Sequence, residues 1–145
     1  MPYLTSTISP AGPLIDLLIG VSFPRSEALT KAGLPIPNPV QARLLIDTGA
    51  SGTCVDPSII SGLGLTPTGT TPIHTPSTGL APHMCNQYDV QITILHPRLH
   101  RVFSAIAVIE ADLSAQGIQG LLGRDVLAEC HFTYNGEANI YTLGF

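Results

Sequence analysis

Short apolar stretches separated by glycine and proline run along the whole chain, and four of them have the length and composition of β-strands. Each is rich in Val, Ile or Leu, and several alternate polar with apolar positions, as half-buried strands do. No stretch repeats apolar residues at helical spacing over several turns, so the pattern predicts a mainly β class. The four predicted strands are Leu14–Val21, Val40–Asp47, Tyr88–Leu95 and Val102–Ala111.

Only two short segments carry helix signals. In "DPSIISGLG", Asp56 is a favourable N-cap and Pro57 suits the first helical position. The second predicted helix is "GRDVLAEC", residues 123–130. The segment Pro24–Pro39 is rich in proline and is predicted to be a surface loop between the first two strands.

The end of the chain predicts a β-hairpin. Asn135-Gly136 lies between two β-rich runs, and both residues tolerate the positive φ angles of tight hairpin turns. We therefore expect Phe132–Tyr134 to pair with about Ile140–Leu143. With 145 residues, no internal repeat and no break in composition, the chain is predicted to be one domain over residues 1–145.

Composition excludes several classes of function. The six Lys and Arg residues are scattered and the net charge is −4, whereas nucleic-acid binding needs clustered cations, so we expect no nucleic-acid partner. The chain does not begin like a signal peptide, and its apolar runs are too short to span a membrane. Cys54, Cys85 and Cys130 include no Cys-x-x-Cys pair and are predicted to be packed thiols in a reducing compartment. These features predict a cytoplasmic protein without a membrane partner.

A carboxylate follows the second predicted strand at a point where the chain should be buried. In "LLIDTGASG" three apolar residues lead directly to Asp47, and Asp is seldom buried unless its charged form is hydrogen-bonded. Gly49 has no Cβ, so backbone amides can come close to that carboxylate. The hydroxyl of Thr48 can both donate and accept a hydrogen bond. These residue types favour a functional carboxylate at Asp47.

Two motifs together resemble a known family. The first is "LIDTGAS" (Leu45–Ser51), and the second, "GLLGRDVL" (Gly120–Leu127), follows it later in the chain. They resemble the two signatures of the retropepsin-like aspartic proteases, the retroviral-type, single-domain branch of the aspartic proteases. The resemblance implies an acid-protease fold: a single-domain, closed β-sheet or barrel with one or two short helices, active as a two-fold dimer. We expect the Leu pair of the second motif to pack against the strand that carries Asp47, and Gly123 to permit a close crossing there.

The resemblance implies an aspartic endopeptidase with Asp47 as the catalytic residue and Thr48 and Gly49 as its support. Peptide hydrolysis of this kind needs two carboxylates that share one proton. The chain has one Asp-Thr-Gly, and Asp125 lacks both the preceding strand and the following Thr-Gly. Asp47 must therefore meet Asp47 of a second copy in a homodimer. This chemistry acts on a peptide or protein substrate and needs no metal or organic cofactor.

The same resemblance implies a flap, a hairpin that closes over the bound peptide. Residues 70–90 occupy the expected place, with the tip at Pro76–Gly79. The predicted substrate-binding residues are Ala50, Pro76, Ser77, Thr78 and Gly79. Prolines at positions 72, 76 and 82 are expected to interrupt the hairpin's hydrogen bonding.

Two departures from the retroviral pattern concern Arg124 and the dimer contact. Ser51 stands where retroviral enzymes commonly have an Asp that pairs with the motif Arg, so the sequence provides no partner for Arg124. The predicted C-terminal hairpin also continues past the point where retroviral proteases end. The sequence therefore does not define how the two subunits are held together.

Other interpretations compete with an active enzyme. One is a protease-like dimer that cleaves poorly and serves as a peptide-binding or assembly module; another is a monomeric β-domain with a fortuitous motif. The intact Asp-Thr-Gly favours the enzyme, because a pure binder does not need a proton-sharing pair of carboxylates. His96 and His100 have a spacing that two metal ligands on a helix could have, but Pro97 lies between them and the flanking residues are strand-like. We expect both to be surface-loop residues and predict no metal site.

Overall fold

A closed barrel of six β-strands lies at the centre of the molecule, which the computed structural model describes over residues 1–74 and 81–145. The strands in these ranges are β1 (Tyr3–Thr7), β2 (Leu14–Val21), β3 (Val40–Ile46), β4 (Cys54–Val55), β5 (Gly69–Ile73), β6 (His83–Ile94), β7 (Arg101–Glu110), β8 (Gly120–Leu122), β9 (His131–Asn135) and β10 (Ile140–Gly144). Around the barrel they follow the order β2-β3-β8-β4-β7-β6, and β6 pairs with β2 to close the ring. The predicted mainly β class with a closed sheet is confirmed.

Two further groups of strands extend from the barrel. β5 pairs antiparallel with β6 and forms a hairpin at the edge of the sheet. β1, β10 and β9 form a separate antiparallel sheet in that order, here called the terminal sheet. The hydroxyl of Tyr141 on β10 donates a hydrogen bond to the carbonyl oxygen of Leu14 on β2. This contact ties the terminal sheet to the barrel.

A β-bulge in β7 keeps the barrel's apolar face continuous. Phe103 and Val108 are both buried, although a regular strand would place residues at this odd spacing on opposite faces. The pairing of β6 with β7 shifts register between Val90 and Ile92. An extra residue at that point turns the following side chains to the other face, so both residues reach the core.

Each of the four predicted strands is present, as β2, β3, β6 and β7, and β6 begins several residues earlier than expected. The pattern does not predict β1, β4 or β8. β4 and β8 contain two and three residues, too few to carry a pattern of their own. Their partners in the barrel lie far away along the chain, so they are defined by long-range pairing.

The predicted loop over Pro24–Pro39 is wrong in its first part, because Phe23–Lys31 forms an α-helix, α1. Ser22 is the N-cap and accepts a hydrogen bond from the N–H of Arg25 at 3.3 Å. Pro24 lies in the first turn, where its missing N–H removes no helical hydrogen bond. The helix buries none of its residues, so no apolar period marks it in the sequence.

Both predicted short helices are present. α2 (Pro57–Gly62) begins as expected, and the carboxylate of Asp56 accepts a hydrogen bond from the N–H of Ser58 at 2.8 Å. α3 (Arg124–Leu127) is shorter than the predicted segment. With α1, the described ranges contain three α-helices, where one or two were expected. None of the helices in these ranges is long and apolar enough to cross a membrane.

The C-terminal hairpin is confirmed by the antiparallel pairing of β9 with β10, but its turn differs from the prediction. Asn135-Gly136 does not form a two-residue turn, because four residues, 136–139, connect the strands. Asn139 has a positive φ of 55°. The side-chain oxygen of Asn135 accepts a hydrogen bond from the N–H of Ala138 at 3.0 Å and holds this wider turn.

Candidate active site

Asp47 lies directly after β3, on the side of the strand that faces away from the core. β3 buries alternate residues up to Ile46, and the two-residue period of a strand therefore places Leu45 and Asp47 on the opposite face. The Asp47 side chain is half-buried. It is thus accessible from outside the barrel while its backbone continues a core strand.

β8 supports this end of β3. The two strands run parallel, with Leu45 paired to Leu121 and Ile46 paired to Leu122. The N–H of Asp47 donates a hydrogen bond to the carbonyl oxygen of Leu122 at 3.0 Å, so the pairing continues to the carboxylate itself. The expected packing of the second motif's Leu pair against this strand is confirmed.

Gly49 brings a backbone amide close to the Asp47 carboxylate, as the sequence predicted for a residue without a Cβ. Its N–H donates to Oδ1 of Asp47 at 2.8 Å. A Cβ on Gly49 would lie 3.1 Å from the same oxygen, closer than most real contacts of that kind. The N–H of Ala50 also donates to the carbonyl oxygen of Asp47, at 3.2 Å. The loop therefore turns tightly around Asp47 and fixes the orientation of its side chain.

Arg124 provides a clamp for this loop and has the partners that the sequence could not identify. Its Nη1 donates to the carbonyl oxygens of Thr48 and Gly49 at 2.9 and 3.3 Å. Its backbone N–H donates to the carbonyl oxygen of Ala50 at 2.9 Å. A single residue at the start of α3 thus binds three consecutive carbonyl oxygens of the loop that follows Asp47.

Asp125 is engaged in supporting Thr53, a residue that sequence reasoning missed. Oδ2 of Asp125 accepts the N–H of Thr53 at 2.9 Å, and Oδ1 accepts its hydroxyl at 2.7 Å. The same Oδ1 accepts the N–H of Val126 at 2.9 Å. Three donors thus occupy this carboxylate, in agreement with its exclusion as a second catalytic group. Only the folded chain reveals the pair, because the two residues are 72 positions apart.

Gly123 lies where the two motifs cross, as predicted. A Cβ on Gly123 would lie 2.5 Å from both the carbonyl carbon and the carbonyl oxygen of Gly52, so the backbones are too close for any side chain. The N–H of Gly123 donates to the hydroxyl of Thr53 at 3.1 Å. The Thr53 hydroxyl therefore accepts a hydrogen bond from Gly123 and donates one to Asp125, and both of these residues belong to the second motif. This buried network joins the second motif to the segment that follows the Asp47 loop.

Replacing Thr53 with valine tests the strength of this network. Thr53 is 1% exposed, and Thr53→Val keeps its shape while leaving the buried N–H of Gly123 without its acceptor. We expect a loss of about 2 kcal/mol in the free energy of unfolding, measured by urea denaturation. The matched control is Thr30→Val, whose hydroxyl donates to the carbonyl oxygen of Ser26 on the exposed α1 at 2.9 Å. Equal destabilisation by the two variants would contradict a special role for Thr53.

Cys54 lies close behind the loop and is predicted to be an inert thiol. Burial raises the pKa of Cys54, the hydrogen bond with the Leu121 backbone opposes this rise, and the charges of Asp47 and Asp125 add to it. Because the thiolate is the reactive form, we expect Cys54 to resist iodoacetamide at neutral pH in the folded protein and to react after denaturation. Peptide mapping by mass spectrometry measures this; full labelling of the folded protein would contradict it. As expected, the three thiols are buried or half-buried: Cys54 is buried, and Cys85 and Cys130 are half-buried.

An apolar pair lies beside Asp47, and paired strands are present where the flap was expected. Leu45 and Leu121 are half-buried, form a cross-strand pair and share the strand face of Asp47. β5 and β6 pair from Gly69 opposite Gln87 to Ile73 opposite His83, where the flap was expected. Pairing continues through Pro72, contrary to the predicted interruption, because β5 is an edge strand and needs no donor on its outer side.

The predicted substrate-binding residues fall into two groups. Ala50 is half-buried in the loop after Asp47. The predicted flap tip, Pro76, Ser77, Thr78 and Gly79, lies outside the described residues.

The two candidate histidine ligands have structural roles in the turn between β6 and β7. Nδ1 of His96 accepts the N–H of Arg98 at 3.1 Å, and Nδ1 of His100 accepts the N–H of His96 at 3.1 Å. Each ring therefore uses one nitrogen to hold the turn. Within residues 1–74 and 81–145, no group of three or more potential metal-ligating side chains comes together.

Sequence comparison relates these features to a known family. The profile of the family described as "Aspartyl protease" matches residues 36–126, more than half of the chain. The match includes the Asp47 loop and reaches into α3. A sequence search among curated proteins gives no match.

Structural comparison gives the same architecture. A retropepsin-like aspartic protease from Rickettsia conorii matches with a TM-score of 0.59 at 16% sequence identity, covering 99% of this chain and 91% of that chain. The retroviral protease-like domain of Ddi1 from Leishmania major matches with a TM-score of 0.43 at 12% identity, covering 88% of this chain and 86% of that chain. The rickettsial structure confirms the fold expected from the two motifs.

Proposed function

The chain belongs to the aspartyl protease family, and on that premise we propose that it is an aspartic endopeptidase that acts as a homodimer. The observation that carries the proposal is the Asp47 loop. One carboxylate is accessible at the end of a core strand, the N–H of Gly49 holds its Oδ1, and Arg124 clamps the backbone that follows. Asp125 is occupied by Thr53. A second copy of the chain therefore supplies the second carboxylate.

In the proposed mechanism, the two Asp47 carboxyl groups of the dimer share one proton. The ionised group takes a proton from a water molecule as the water oxygen attacks the scissile carbonyl carbon, and the protonated group gives its proton to the carbonyl oxygen, which yields a tetrahedral diol. The carbon–nitrogen bond then breaks: the carboxyl group that received the water's proton gives it to the leaving nitrogen, and the other carboxylate takes a proton back from one hydroxyl of the diol. Gly49 orients the carboxylate through its N–H. The exposed Thr48 interlocks with Thr48 of the second copy and holds the two loops together.

The proposed substrate is a peptide or protein segment with apolar side chains next to the scissile bond. Leu45 and Leu121 supply the apolar wall beside Asp47, and Ala50 contacts the peptide from the loop. Pro76, Ser77, Thr78 and Gly79 remain the predicted flap contacts. A cytoplasmic location likewise remains a prediction.

The test is cleavage of a diverse peptide mixture between about pH 4 and pH 7 by the full chain, over a range of protein concentrations that spans dimer formation measured by sedimentation. Because each monomer has half of the catalytic pair, activity per chain is expected to rise with the fraction of dimer. Cleavage by a species that sediments as a monomer would contradict the shared site. A dimer that binds peptides without cleaving them would instead identify a peptide-binding or assembly module.

A further inference from the structure

Asn135-Gly136 lies exposed where β9 enters the turn of the C-terminal hairpin, and it has no role in the proposed catalysis. The side-chain amide of an asparagine can react with the backbone nitrogen of the next residue, because the two groups are held near each other in the same chain. Glycine in the second position favours this reaction, since it has no Cβ to hinder its nitrogen and its backbone turns freely. The pair is therefore a candidate site of chemical modification.

The other three asparagines of the chain are followed by residues that oppose the reaction: the pairs are Asn38-Pro39, Asn86-Gln87 and Asn139-Ile140. Proline has no N–H, so its nitrogen cannot attack and lose a proton. Gln87 pairs with residues on both sides of β6, which holds the backbone extended. The branched side chain of isoleucine crowds the nitrogen beside it. Among the four asparagines, Asn135 alone has an unhindered neighbour.

The turn leaves the reacting groups of Asn135 and Gly136 accessible. Asn135 and each residue of the turn 136–139 are exposed to solvent. In the part of the chain that the structure describes, the N–H of Gly136 makes no hydrogen bond to another backbone group. A base in solution can therefore remove this proton without breaking a backbone hydrogen bond of the fold.

The same turn polarises the side-chain amide of Asn135. The N–H of Ala138 donates a hydrogen bond to Oδ1 of Asn135 at 3.0 Å. Attack on Cγ moves negative charge onto Oδ1, and a donor that is already in place stabilises this charge. The hydrogen bond that holds the wide turn therefore also makes Cγ of Asn135 a better electrophile.

We propose that Asn135 is a site of spontaneous deamidation in the folded protein, through attack of the Gly136 nitrogen on Cγ of Asn135. A bond forms between these two atoms, the bond from Cγ to the side-chain nitrogen breaks, and that nitrogen leaves as ammonia with the proton that Gly136 loses. The product is a cyclic imide. Water then adds across one of the imide's two carbonyl–nitrogen bonds. Opening at Cγ gives aspartate, and opening at the backbone carbonyl gives isoaspartate, in which the chain continues through the side-chain carbon.

The two products differ in their effect on the hairpin. Asn135 pairs with Ile140 at the last rung between β9 and β10. Aspartate keeps an oxygen that can accept the N–H of Ala138, so the turn can remain as it is. Isoaspartate adds a carbon to the backbone at this rung and moves the hydrogen-bonding groups out of register. We therefore expect isoaspartate to loosen the hairpin and aspartate to preserve it.

Peptide mapping of the full chain tests the reaction. The folded protein is incubated in mildly alkaline buffer, and a glutamate-specific protease then separates Asn135 from Asn139 by cutting after Glu137. By chromatography and mass spectrometry, we expect the Asn135 peptide to gain the mass difference between an amide and an acid and to split into two isomers. The peptides of the other three asparagines are expected to change more slowly. Equal rates at Asn135 and Asn139 would overturn the proposal.

Gly136→Ala is the matched variant. A Cβ on Gly136 would lie 3.5 Å from Cε1 of Tyr134, an ordinary contact, so the hairpin should keep its fold. Because the added methyl group hinders the attacking nitrogen, deamidation at Asn135 is expected to be at least about tenfold slower. An unchanged rate in this variant would overturn the attack by Gly136. Aspartate without isoaspartate would show direct hydrolysis by water and would overturn the imide.

Thermal unfolding tests the effect on the hairpin, with Asn135→Asp as the control that carries the new charge without the longer backbone. The incubated natural chain, enriched in isoaspartate, is expected to unfold at least about 3 °C below the fresh chain. Asn135→Asp and incubated Gly136→Ala are expected to stay within about 1 °C of their fresh counterparts, the natural chain and unincubated Gly136→Ala. Equal unfolding temperatures for the incubated natural chain and Asn135→Asp would overturn the effect of isoaspartate. These measurements do not depend on peptide cleavage, so they succeed or fail separately from the proposed function.

Discussion

Asp47→Asn is expected to lower the rate of peptide cleavage by at least about 10³-fold. An asparagine amide can neither take a proton from water nor pass one to the scissile carbonyl, so both acid–base roles are lost. Its side-chain oxygen can still accept the N–H of Gly49, which donates to Oδ1 of Asp47 at 2.8 Å, so the loop should keep its shape. The measurement is kcat/KM on the best peptide from the mixture, with sedimentation to confirm that the dimer persists.

Mixing the variant with the natural chain makes this test more specific. If subunits exchange at random, equal amounts leave about a quarter of the dimers with two Asp47 residues. Activity per natural chain should therefore fall to about half, since a dimer with one Asp47 is inactive. The control is Asp112→Asn, because the Asp112 carboxylate is exposed and holds only the Ser114 turn. Activity that is unaffected by mixing would show that one chain carries a complete site.

Gly123→Ala is expected to be strongly destabilising. Its Cβ would lie 2.5 Å from the carbonyl carbon and oxygen of Gly52, and these are backbone atoms that cannot rotate away. Separating the two segments would also lengthen the hydrogen bond from Gly123 to the Thr53 hydroxyl, now 3.1 Å. We expect a loss of at least about 3 kcal/mol in the free energy of unfolding. Cleavage should be lost as well, because the same crossing positions Asp47.

Gly62→Ala serves as the control for Gly123→Ala. Gly62 lies at the end of α2, and a Cβ there would meet no atom within 4 Å. Alanine should therefore leave stability nearly unchanged or raise it slightly, by less than about 1 kcal/mol. Chemical denaturation of both variants under the same conditions measures the difference. Similar stabilities would show that the two motifs can move apart at little cost.

The sequence predicts those parts of the structure that depend on residues close together along the chain. Alternation of apolar residues locates the long strands, and the small residue two positions after Asp47 correctly indicates the close approach of a backbone amide. α1 was missed because it buries no residue and so leaves no apolar stripe. The support of the site by Arg124 and Thr53 was missed for a different reason: their partners are more than 70 positions away. The pairing of β8 with both β3 and β4 brings them together.

The pairing of the first strand with the last determines when the protein can finish folding during synthesis. Thr5 on β1 lies beside Thr142 on β10, 137 positions later, so β1 has no partner until β10 has left the ribosome. At about 5–20 residues per second, the rest of the chain takes seconds to appear. The terminal sheet is therefore complete only after that delay, and the proposed active site needs two copies of the chain. A partly synthesised chain would then have no assembled active site with which to cleave the proteins around it.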